Sequence, residues 1–106
     1  TRVLVSPADR AQQTAVALKR KFRTVAEIGP DAPAAAILAA AGWPDARTPA
    51  LVVGHQPTLG AVVAHLLCDE DASWPIKKGA LWWLTNRDRD GSSAVIVRAV
   101  IAPDFV

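Results

Sequence analysis

Two nitrogen-rich side chains in this 106-residue sequence, Arg10 and His55, each stand just past an apolar strand-like run. Arg10 follows the run Arg2–Val5 by way of Ser6 and Pro7. His55 follows Ala50, Leu51, Val52, Val53 and Gly54, and leads into Gln56 and Pro57. In open α/β sheets, ligands bind beyond the carboxyl ends of the strands, where strand-to-helix turns also aim backbone N–H groups outward. A cation in the first helical turn is opposed by the helix macrodipole, by about 0.3–1 kcal/mol. Arg10 breaks that rule, and a bound anion would reverse the sign of the penalty. A guanidinium fork fits phosphate oxygens in a bidentate way. Each residue taken alone has an ordinary explanation: Arg10 paired with Asp9 or solvated, His55 a satisfied turn histidine. Their joint placement on equivalent turns points to an anion site, to which backbone N–H groups near Gln56 add donors.

Positioning such a pair requires two strand–turn–helix units. In the first, Ser6 is a good N-cap, Pro7 suits the first helical position, and Asp9 sits where a capping-box acid would reach back. Ala11, Ala15, Leu18 and Phe22 then mark one helical face. In the second, a strand apolar on both faces, as a buried parallel strand would be, leads to Leu59, Val62, Val63, Leu66 and Leu67 at amphipathic helical spacing. Residues 33–41 are alanine-rich and helical, and 42–49 read as a loop. Asp69, Glu70 and Asp71 open another loop. Residues 79–84 and 94–101 are strand-like and pair as an antiparallel hairpin across a polar, glycine-containing turn region at 86–93. The expected fold is a three-layer α/β/α domain spanning residues 1–106, with a mostly parallel sheet and an antiparallel margin.

Composition narrows the function classes. A 51% hydrophobic content fills one core, and a net charge of +2 with scattered basic residues gives no stripe for nucleic acid. No apolar run approaches the roughly 20 residues of a membrane span, and the start lacks the regions of a signal peptide. The single cysteine, Cys68, excludes an internal disulfide and a zinc cluster, reads as a small buried hydrophobe, and suits a cytoplasmic protein. His65 falls mid-helix, and Trp82 and Trp83 point to opposite faces of a strand, where packing accounts for them. The chain opens at Thr1, without methionine, and enters a strand within a residue or two, so Thr1 reads as a truncation point.

The run Ser6-Pro7-Ala8-Asp9-Arg10-Ala11-Gln12-Gln13-Thr14-Ala15 resembles the S-P-x-x-R-A-x-Q-T-A signature of the histidine phosphatase, or phosphoglycerate mutase-like, superfamily. Val53-Gly54-His55-Gln56-Pro57 resembles its second signature, V-G-H-x-P. The short connection between the two, and the late Lys77-Lys78-Gly79-Ala80, look like the phosphohistidine phosphatase (SixA-like) branch. The resemblance spans residues 2–100.

What the resemblance implies is a metal-independent phosphatase without a cofactor. It would hydrolyse phosphohistidine on a protein through a phosphohistidine enzyme intermediate. Arg10 matches a phosphate-clamping arginine, and His55 the histidine that faces the phosphoryl group opposite the nucleophile side. The superfamily's R-H-G element, which supplies the nucleophilic histidine and a further arginine, has no match in the chain. It normally precedes the S-P-x-x-R-A element, so its expected place is upstream of Thr1, on a first strand that would lie beside Ala50–Val53. Two other readings accompany this one: a small-molecule phosphate-ester phosphatase or mutase of the same superfamily, and a noncatalytic phosphate-binding or interaction module.

Overall fold

The structure, a computed structural model, describes residues 1–56, 58–68, 74–75, 81–89 and 92–101. It divides into two compact units, Thr1–Trp74 and Pro75–Val106.

In the first unit, β1 (Arg2–Val5) is flanked by β2 (Arg23–Thr24) and β3 (Ala50–Val53), giving the order β2-β1-β3. Both pairings are parallel, and β1 meets β3 residue for residue from Arg2↔Ala50 to Val5↔Val53. Successive strand side chains face opposite ways, and the cores follow that alternation. Val3 and Val5, with Leu51 and Val53 beside them, pack against Ala11 and Ala15 of α1 (Asp9–Ala17). Leu4, with Ala50 and Val52 beside it, packs on the other face. There it meets Ile28, Ile37 of α2 (Ala34–Ala41) and Val62 of α3 (Thr58–Cys68). One helix on one face and two on the other make the three layers expected from the sequence.

Helix α2 runs as its alanines predict and stops at Gly42, whose φ of 73° lies in the left-handed region open to glycine. The Arg2 guanidinium donates to the carbonyl of Ala41 at 2.7 Å, satisfying one of the carbonyls that a helix end leaves over. Helix α1 departs from its expected bounds at both ends. It begins at Asp9 with Ala8 at the N-cap, so Ser6 and Pro7 lie outside it, and no side chain caps it. It ends at Ala17, before Lys19 at φ 55°. Leu18 is consequently exposed, and Phe22 reaches the α1-side core from the segment leading into β2. Cys68, expected inside, is the last residue of α3 and is exposed, because α3 buries Val62 and Val63 on another face. No described helix is long and apolar enough to cross a membrane.

The second unit is an antiparallel ladder of β4 (Leu81–Arg89) and β5 (Ser92–Ile101). The strands run further than expected, pairing from Leu81↔Ile101 to Arg89↔Ser92. Polar residues such as Asn86 and Arg87 suggested a turn in the sequence, but antiparallel strands take polar residues as well. A register shift between Trp83 and Leu84 interrupts the ladder next to Arg98, whose guanidinium lies 5.0 Å from the centroid of the Trp83 ring. The expected loop at Asp69, Glu70 and Asp71, and the Lys77-Lys78-Gly79-Ala80 segment, lie outside the described residues.

Candidate active site

Because β1 and β3 are parallel, adjacent and in register, both carboxyl ends open on the same edge of the sheet. The Ser6 amide continues the pairing by donating to the carbonyl of Val53 at 3.0 Å. The chain leaving β1 therefore passes directly beside the chain leaving β3. Ser6 is fully buried at this crossing. Its hydroxyl shares a hydrogen bond of 2.5 Å with Nε2 of His55, across 49 residues of sequence, and accepts from the Ala8 amide at 3.2 Å.

The side chains around this crossing divide into those that build it and those left for a ligand. Gln12 builds: its Nε2 donates to the Ser6 carbonyl at 2.8 Å and to Thr24 Oγ1 at 3.0 Å, tying the end of β1 to β2. Gln56 also builds, since its Oε1 accepts from the Gly60 amide at 2.7 Å and its Nε2 donates to the Trp74 carbonyl at 2.9 Å. The first of these bonds caps α3. Thr58, buried at the start of α3, donates to the Ala32 carbonyl at 2.7 Å. The arrangement keeps His55 half-buried and held by one ring nitrogen.

Arg10 is the second residue of α1 and exposed, and its guanidinium has no side-chain partner among the described residues. The pairing with Asp9 that would explain it away is absent among those residues. The structure thus brings the Arg10-bearing helix start and His55 to one sheet edge. Ser6 and Gln12 were not singled out as site residues by their sequence. Both stand inside the S-P-x-x-R-A-x-Q-T-A run, but the same residues at the same spacing are equally well explained as a helix cap and a helix surface.

This sheet, with its helices on both faces, has the fold of a solved structure. The structure of the protein histidine phosphatase SixA complexed with tungstate matches with a TM-score of 0.72 at 24% sequence identity. The match covers 99% of this chain and 70% of that one. No protein-family model matches the chain, and no curated protein matches it in sequence.

Proposed function

We propose that this chain is the greater part of a histidine phosphatase domain, and that the intact protein removes phosphoryl groups from phosphohistidine-bearing proteins. The observation that carries the proposal is the crossing at Ser6, which sets the turns bearing Arg10 and His55 side by side on one sheet edge. The fold match to a protein histidine phosphatase supports it, and the tungstate held by that protein is a tetrahedral oxyanion like phosphate. The match over nearly the whole chain also supports reading both compact units as parts of one domain.

In the proposed reaction, a histidine of an R-H-G segment upstream of Thr1 attacks phosphorus in line. The new P–N bond forms as the bond to the substrate imidazole breaks, and water then releases phosphate from the enzyme histidine. Arg10, His55 and the arginine of that segment hold the equatorial oxygens as charge redistributes. Backbone N–H groups near Gln56 add donors at the start of α3. No metal or cofactor enters, because the nucleophile and the oxyanion donors are protein nitrogens. The segment's strand would pair with the outer side of β3, which ends the described order β2-β1-β3. A cytoplasmic location suits the lone Cys68.

Turnover of a phosphohistidine protein, compared with a panel of sugar phosphates and other phosphate esters, tests the substrate class. A large preference for esters would replace the proposal with a small-molecule phosphatase or mutase. Residues 1–106 alone are expected to show no turnover, and the chain extended by its R-H-G segment to recover it. Robust turnover by residues 1–106 that His55→Ala leaves unaltered would refute the assigned chemistry. An extended chain that contains no R-H-G segment would make the domain a phosphate-binding module.

A further inference from the structure

We infer that Ser6 is a positioning residue that fixes the tautomer of His55, so that the imidazole meets a bound anion through a protonated Nδ1. The inference rests on the anion site proposed above, but its first half stands on hydrogen-bond bookkeeping alone. The Ser6 side chain is fully buried and has two hydrogen-bond partners among the described residues: the Ala8 amide and His55 Nε2. An amide can only donate, so the Ser6 oxygen accepts from Ala8. The acceptor that the described residues offer the Ser6 hydroxyl proton is then the Nε2 lone pair.

Were Nε2 protonated instead, it would donate to the Ser6 oxygen and leave the hydroxyl proton buried without an acceptor. That penalty corresponds to a population ratio of about fivefold to a hundredfold. The chain Ala8 N–H to Ser6 O, Ser6 O–H to Nε2, therefore places the ring proton on Nδ1. Free histidine mildly prefers the opposite tautomer. Because Nε2 is taken by Ser6, Nδ1 is the nitrogen left for a ligand, and as an N–H it can donate to a phosphate oxygen. A ring with the other tautomer would present a lone pair to that oxygen and repel it.

The two ring nitrogens of His55 are separable by magnetic resonance in protein labelled with the heavy nitrogen isotope, recorded at alkaline pH where the imidazole is neutral. His55→Gln assigns the signals against His65, the chain's other histidine. The expected result is Nδ1–H as the major form by at least about fivefold, shifting toward Nε2–H in Ser6→Ala. Adding tungstate or inorganic phosphate, with binding followed independently by calorimetry, should then move the Nδ1 signal.

A wild-type ring protonated on Nε2 would overturn the inference without any variant needing to fold. So would an Nδ1–H ring that Ser6→Ala, shown to be folded by its tryptophan circular dichroism, leaves unchanged. Anion binding that leaves Nδ1 unmoved would also overturn it. Absence of anion binding by calorimetry, with Nδ1–H confirmed, would instead defeat the anion-site reading on which the inference's second half depends.

Discussion

Replacing Arg10 by alanine in the intact protein should separate catalysis from stability. Arg10 is exposed and its guanidinium engages no other described side chain. Its backbone carbonyl accepts from the Thr14 hydroxyl at 3.0 Å, a bond that alanine keeps. The substitution removes a cation opposed by the helix dipole at about 0.3–1 kcal/mol, and it installs the best helix former. Urea denaturation should therefore find stability unchanged or raised by up to about 1 kcal/mol. Loss of one oriented donor to the transferring phosphoryl group costs about 3 kcal/mol, or roughly a hundredfold to a thousandfold in kcat. Single-turnover phosphate release from a phosphohistidine protein reads that step. Arg10→Lys should recover only part of the loss, because an ammonium supplies charge without the planar fork. A parallel fall of stability and rate, or full recovery by lysine, would refute the reasoning.

Substitutions at three positions test what holds the elements around the site in place. Thr58→Val removes a buried hydroxyl that donates to Ala32 and should cost about 1–3 kcal/mol in urea denaturation; a smaller change would mean that this contact does not anchor α3. Gly42→Ala should lower stability by about 1–2 kcal/mol, since φ is 73° there and a Cβ would lie 3.0 Å from the Ala46 side chain. A neutral result in a thermal melt would show that α2 does not end in the left-handed region. Gln56→Ala should cost about 0.5–2 kcal/mol through lost capping of α3, while Gln56→Glu, which keeps the acceptor for the Gly60 amide, should recover part of it. Equal losses in the two variants would place the effect in the Trp74 contact instead.

Much of the fold was legible because the strands carry apolar residues on both faces. Val3, Leu4 and Val5 cannot all be satisfied by a sheet covered on one side, and the structure divides them between two cores. The helices after each strand were legible for the same reason, and α3 buries Val62 and Val63 as their spacing requires. The ends of α1 were not. Leu18 and Phe22 continue the period of Ala11 and Ala15, but periodicity does not register that Lys19 takes a positive φ and stops the helix. Phe22 still reaches the expected core because the segment after the helix returns to the same face. A hydrophobic residue can thus be assigned to the right core through the wrong element.

The site was legible in part, and the missing part has a specific cause. Arg10 and His55 stood out because each occupies an equivalent turn, and in-register pairing of β1 with β3 brings the two turns to one edge of the sheet. Ser6 gave no comparable signal, since a serine before a proline at a helix start is fully accounted for as a cap. Its role depends on register: Ser6 meets His55 only because its amide bonds Val53. A slip of one residue between the strands would turn every β3 side chain to the opposite face. It would bring Val3 and Val5 out of step with Leu51 and Val53 in their shared core, and separate Ser6 from His55. Core alternation and the serine–histidine contact are therefore one constraint, and the apolar residues that fill the two cores also fix the alignment of the polar edge.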